Sequence, residues 1–286
     1  MSREKVPPTS TDANVDSRAL TRPTGPTKPP LSYEELRDVI DLSLWAGQML
    51  LQHGAESQRV EETVHRLGTG LGCDWMDILV SPNAIIVTTT SGNEFRTKTR
   101  RVVRMGADLW RVTAVNDLSR HVNEGQLDRF QLRHELEQIN ATPPRYPRWL
   151  VVFVVGLACA AFSRLFGGDW PVFGVTFLAA TVAMAVRQEL SKRYFNHFLV
   201  TVASAFVAGV LAGSATLFNL SPQPEIALVS AILLLVPGVH LINSAEDLIK
   251  GHLVTGITRG AMGFLITLAI ALGLLLAMRL IGVEGL

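Results

Sequence analysis

Two cysteines occur in the 286 residues, and they lie in unlike surroundings: Cys73 in a mixed polar stretch, Cys159 inside an apolar run. Such a pair offers neither a disulfide framework nor a cysteine-based metal cluster, and no metal site is expected. An excess of one charge sign is also missing, since 26 Lys and Arg face 25 Asp and Glu for a net charge of +1. Without a basic patch interleaved with aromatics, nucleic acid drops out as a partner. The sequence has no Gly-x-x-x-x-Gly-Lys-Ser/Thr loop to hold ATP phosphates and no Gly-x-Ser-x-Gly elbow to raise a serine nucleophile. No cofactor is implied. The first thirty residues lack an apolar stretch that would serve as a signal-peptide core. They carry Pro7, Pro8, Pro23, Pro26, Pro29 and Pro30 among Ser, Thr and charged residues, so residues 1–30 read as a disordered, Pro-rich leader.

What the chain does have is a change of character near Trp149. Charge concentrates before that residue, and five apolar runs follow it: Trp149 to Phe166, Trp170 to Val186, Phe198 to Leu220, Ile226 to Ile242 and Ala261 to Ile281. Each is close to the roughly 17–25 residues a helix needs to cross a hydrocarbon core. The expectation is a membrane protein: an all-α bundle of five transmembrane helices over residues 143–286, behind an N-terminal α+β domain. With the amino terminus in the cytoplasm, the inner flanks hold Arg145, Arg148, Arg187, Lys192, Arg193, Lys250 and Arg259, and the outer flanks only Arg164 and Arg279. The asymmetry orients the chain N-in and C-out in a cytoplasmic (inner) membrane, with the α+β domain inside.

The domain is read over residues 31–142. Ser32 with Glu35 forms a capping box, so a helix begins at Tyr33, and Gly54 is placed to end it. A second helix is expected from Glu56 to Leu71. Three β-rich runs, Trp75 to Val80, Ala84 to Thr90 and Glu94 to Thr99, are separated by Pro82-Asn83 and Ser91-Gly92-Asn93, which predicts an antiparallel meander. Trp110 to Val115 reads as a further strand, with Asn116 or Asp117 capping a helix to Asn123. A last helix is expected from Leu127 to Ile139.

The fourth apolar run carries the chemistry. Pro237 and Gly238 interrupt it, and hydrocarbon cannot satisfy the backbone groups such a break frees. Gly238 permits φ values other residues avoid, so carbonyls near Leu233 to Val236 become available to a ligand or water. Asn243, Glu246, Asp247 and Lys250 follow at helical spacing and are expected on one broad face. Both charge signs suit an amino-acid zwitterion, and a titratable carboxylate suits proton coupling. The bland alternative is a solvated helix end with Lys250 paired to Glu246. Arg187 joins the candidate pathway as a carboxylate binder, with headgroup anchoring as its simpler role. His53, Glu56 and Ser81 invite a catalytic reading that no triad or metal-ligand spacing supports.

The strings LLQHGAES (Leu50 to Ser57), SPNAI (Ser81 to Ile85), RYPRWL (Arg145 to Leu150) and LLLVPGVHLINSAEDLIKGH (Leu233 to His252) resemble the threonine/serine exporter family, in particular its short, split-type members. The resemblance covers Leu36 to the carboxyl end. It marks His53, Glu56, Ser81 and Asn83 as motif residues of the domain. It implies a secondary transporter, not an enzyme, that exports small polar metabolites: threonine- or serine-type amino acids, or dicarboxylates such as succinate. It also implies a partner, a separate small membrane subunit of the YjjB type. A membrane-anchored metabolite sensor or regulatory subunit, and a membrane-bound hydrolase, stay open as alternatives.

Overall fold

The computed structural model describes residues 28–103, 106–143, 145–218 and 220–282. Of the expected leader, all but the last three residues lie outside that set.

Helix α1 (Tyr33–Gln52) starts as the capping box requires: Ser32 Oγ accepts the Glu35 N–H, and the Glu35 carboxylate accepts the Ser32 N–H. It ends at Gly54, whose φ of +93° is a left-handed conformation that an L side chain resists. Helix α2 (Ser57–Gly70) packs back against α1. Strands β1 (Trp75–Ser81), β2 (Ala84–Ser91) and β3 (Glu94–Arg101) form the antiparallel meander, with Ser81 opposite Ala84 and Ser91 opposite Glu94. Strand β2 alternates strictly, burying Ile85, Val87, Thr89 and Ser91 beneath the helices. The β3 edge carries Arg96, Lys98, Arg100 and Arg101, which discourages pairing with another chain.

The expected strand at Trp110 to Val115 is instead the start of α3 (Leu109–Asn123). Asp108, not Asn116 or Asp117, caps it by accepting the Arg111 N–H. The β-branched residues misled the local reading. Val112, Val115, Leu118 and Val122 are buried at helical spacing, and their packing outweighs propensity. Helix α4 (Arg129–Ala141) opens on a second capping box, Asp128 with Gln131. These elements share one core built on Leu36, Ile40, Leu50, Val64, Leu67, Met76, Ile85, Leu132 and Leu136.

The rest of the chain is helical: α5 (Arg148–Leu165), α6 (Trp170–Lys192), α7 (His197–Leu217), α8 (Glu225–Ile232), a single 3-10 turn Leu233–Leu235, α9 (Gly238–Ile249) and α10 (Leu253–Ile281). Helices α5, α6, α7 and α10 are long and apolar enough to cross a membrane, and α8 with α9 forms a pair bent by 62°. Their outward faces present Phe153, Leu157, Phe162, Leu178, Leu199, Phe264, Leu268 and Leu272, a surface that hydrocarbon covers at no cost. Helices α7 and α10 run side by side at close range. A Cβ on Gly273 would stand 2.5 Å from the Val202 carbonyl, so only glycine fits there. Arg148 at the start of α5 donates to the Gln188 carbonyl near the end of α6, which brings those two ends together.

Candidate functional site

The first turn of α2 explains why the domain and the helical bundle meet where they do. Its N-cap residue, Glu56, makes no side-chain capping bond, so the N–H groups there need an acceptor from elsewhere. Asp247 of α9, 190 residues away in sequence, supplies it: its Oδ1 accepts the Ser57 N–H at 2.9 Å. A carboxylate at a helix N-terminus also meets the positive end of the helix dipole. Its other oxygen accepts from Arg259 Nη1 of α10 at 2.8 Å, and Arg259 Nη2 donates to the Ala55 carbonyl at 2.9 Å. Asn243, one turn before Asp247, donates to the Gly54 carbonyl at 2.7 Å. Ser57, Asp247 and Arg259 are all buried, so the pair is shielded from water and each charge is compensated.

Thus the expected single face of α9 divides in two. Asn243 and Asp247 point into the domain loop, while Glu246 and Lys250 pair with each other at 2.6 Å on a partly exposed side. Lys250 Nζ also lies 3.9 Å from Glu56 Oε1, and Glu56 accepts from Arg59 Nε at 3.0 Å. Helices α9 and α10 run antiparallel here, held by Ser244 Oγ donating to the Gly256 carbonyl at 2.7 Å. The turn between them adds His252, whose Nδ1 is 3.6 Å from Glu61 Oε1. Burial, reinforced by the nearby Asp247 charge, pushes the Glu61 carboxyl up to about 7 from its ordinary 4.5.

Of the two residues expected to break the helix, one does so. Pro237, at φ −80° and ψ 54°, interrupts the helix, whereas Gly238 opens α9 without a left-handed φ. A Cβ added at Gly238 would meet nothing within 4 Å. One carbonyl in the predicted stretch is indeed diverted: Leu234 accepts from Arg187 Nη1 of α6 at 2.9 Å. Arg187 is half-buried and, among the described residues, has no carboxylate within ion-pair distance. Elsewhere in the bundle, the Thr176 and Ser230 hydroxyls are fully buried without a hydrogen-bond partner among the described residues.

The domain's motif residues separate into two places. His53 caps α1, and its Nε2 lies 3.4 Å from Arg111 Nη1; burial, with Arg111 beside it, lowers its pKa. It meets no nucleophile. Ser81 and Asn83 shape the β1–β2 turn, where the Asn83 carbonyl accepts the Val102 N–H at 2.7 Å. That hairpin also reaches the bundle, because Thr255 Oγ1 of α10 donates to the Val80 carbonyl at 3.4 Å. Glu56 alone of the four sits beside Lys250. In the sequence Arg259 reads only as a flank charge, and nothing near Glu61 singles it out. Arg259 carried one usable signal: it interrupts the polar-to-apolar start of α10 with a charge no local residue balances.

The ThrE threonine/serine exporter family model matches residues 41–281. The chain is 41% identical over 252 residues to "Probable succinate transporter subunit YjjP" of Klebsiella aerogenes, covering 88% of this chain and 97% of that protein. It is 39% identical over 259 residues to the Escherichia coli protein of the same name, covering 89% and 99%. A "Probable threonine/serine exporter" of Mycobacterium tuberculosis is 24% identical over 250 residues, which span 85% of this chain and 46% of that longer protein. No solved structure matches. The chain belongs to the threonine/serine exporter family, a family of multi-pass membrane transporters.

Proposed function

We propose that this member of the exporter family is one component of a secondary transporter that moves small polar metabolites out across the cytoplasmic membrane, together with a second, small membrane subunit. In this reading residues 31–142 are the cytoplasmic domain and residues 143–286 the transmembrane domain. Helices α8 and α9 together make the fourth of five crossings, so the carboxyl end lies outside. The cations Arg148, Arg187, Lys192, Arg193 and Lys250 then fall at the domain's end of the bundle, in keeping with the positive-inside rule. The relatives' names support the transported classes: threonine- or serine-type amino acids, or dicarboxylates such as succinate.

The observation that carries the proposal is Arg187 bonded to Leu234 at the α8–α9 break. An arginine at the break without a carboxylate partner is a ready counter-ion for a substrate carboxylate, and broken helices build such sites in other transporters. The unpartnered Thr176 and Ser230 hydroxyls extend a polar lining along α6 and α8, where water or substrate would satisfy them. Asp247, both of whose oxygens are engaged, docks the domain in this scheme.

The test is efflux from liposomes holding the chain with and without its partner. Export is expected only with the partner. Arg187→Gln should lower it roughly tenfold or more, the size of a lost charge-assisted hydrogen bond, while membrane insertion is unchanged. Ligand binding without flux in the complete system would instead make the chain a membrane-anchored sensor, and turnover would make it a hydrolase.

A further inference from the structure

A cleft of about 210 Å³ opens between α2 and α3, away from the α8–α9 break, and its lining is almost wholly polar and charged. Glu56, Arg59, Glu62 and Arg66 come from α2 and its cap, Arg120 from α3, and Lys250 from the end of α9. The spacing explains the convergence: residues 59, 62 and 66 recur on one face of α2, toward the last turns of α3.

Several of these charges are already matched. Glu56 holds Arg59, and Lys250 holds Glu246. Arg66 uses Nη1 on the Asn116 and Ser119 side chains, at 3.4 and 2.9 Å, which fixes its planar head toward α3 without neutralising it. Arg120 makes no ion pair among the described residues, and Glu62 has only the Gln58 amide, which donates to it at 2.6 Å. What remains is a pair of guanidinium groups for an anionic group and a carboxylate for an ammonium, in a space sized for a small metabolite.

We propose that this cleft is a binding site for a small amphoteric metabolite carrying separate carboxylate and ammonium groups. The carboxylate takes the forked donors of Arg66 and Arg120, which suit a planar anion. The ammonium faces Glu62. A purely anionic ligand would leave Glu62 opposed, and a purely cationic one would face the arginines. Because Lys250 closes one end, an occupant touches both the domain and the residue that caps the end of α9.

The experiment is calorimetric titration of the full-length protein in nanodiscs with L-serine, and with two probes that each lack one charge: ethanolamine and L-lactate. Wild type should bind L-serine saturably and at least roughly tenfold tighter than either single-charge probe. Arg120→Gln and Glu62→Gln, both at exposed positions, should each weaken L-serine roughly tenfold. Both cleft variants are also titrated in an Arg187→Gln background, which removes the proposed pathway's own carboxylate ligand, so that the cleft's share of L-serine binding is read alone. The proposal is overturned if wild type shows no saturable L-serine binding, or if L-lactate binds equally well. It also falls if, in the Arg187→Gln background, binding survives in both cleft variants, or if that background alone abolishes all L-serine binding, which would assign it to the transport pathway.

Discussion

Replacing Asp247 by Asn tests the junction with little change of shape. The amide oxygen can still accept the Ser57 N–H, but the amide nitrogen then faces Arg259 Nη1, which is also a donor. Arg259 is left buried with its charge uncompensated, and breaking a buried pair in this way costs about 3–5 kcal/mol. At 1.4 kcal/mol per tenfold, the opening equilibrium of the junction shifts by roughly a hundredfold to several thousandfold. Hydrogen exchange read by mass spectrometry on the full-length protein in nanodiscs reports it directly, because the Ser57 N–H is itself one of the bonded groups. Protection over residues 55–60 should collapse, while α4, on the far side of the domain core, keeps its own. The charge swap Asp247→Arg with Arg259→Asp should fail to rescue. It would aim an arginine at the Ser57 N–H and a carboxylate at the Ala55 carbonyl. Protection within threefold of wild type in Asp247→Asn, or restored by the swap, would refute the reasoning.

Glu61 predicts a pH dependence. It lies near Asp247, Glu62 and His252, and accepts a backbone bond from Val80. Its pKa is raised to about 7 in the folded state, so its contribution to stability is whole below about pH 4.5 and lost as pH rises through 7. Junction protection, corrected for intrinsic exchange, should fall between pH 5 and 8, and Glu61→Gln should flatten that fall. Gly238→Ala should be tolerated, and should stabilise the protein by about 0.4–1 kcal/mol in thermal inactivation by restricting the unfolded chain, because the position has open space and no left-handed φ. Reporter fusions near Tyr194 and Gly251 should report the cytoplasm, and those near Gly167 and Pro222 the outside. Fusions at 194 and 251 reporting opposite sides would break the pairing of ends on which the five crossings rest.

Much of the fold was legible because its cues are local. The two capping boxes involve residues three apart, and the β1–β2–β3 turns are marked by Pro82-Asn83 and Gly92. The apolar runs have the length a bilayer sets. The misread stretch at Trp110 to Val115 shows where locality fails: its residues suit a strand, and packing against α1, α2 and α4 makes them helical. Helix α10 shows the same limit. Its apolar run suggested a start at Ala261, yet the helix begins at Leu253, because Thr255 and Arg259 bond into the domain and extend it past the apolar stretch.

The site was legible as a set of residues but not as an arrangement. Spacing put Asn243, Glu246, Asp247 and Lys250 within about two turns of helix, and spacing alone cannot say which neighbour each faces. The Ser57–Asp247 and Ala55–Arg259 bonds join residues 190 and 204 apart, so nothing near Asp247 in sequence identifies its partner. The missing cap on α2 was the clue in principle, since Glu56 is a poor N-cap and some acceptor had to come from elsewhere. Once Asp247 is given to α2, its neighbours fall into place. Glu246 turns outward to Lys250, Asn243 meets the Gly54 carbonyl, and the polar tail of a broken apolar run becomes the surface that holds the domain. Helix α9, 12 residues and about 18 Å long, therefore carries the Pro237 break at one end and the domain's dock at the other. A rigid element of that length cannot tilt at the break without moving the loop that Asp247 and Asn243 grip.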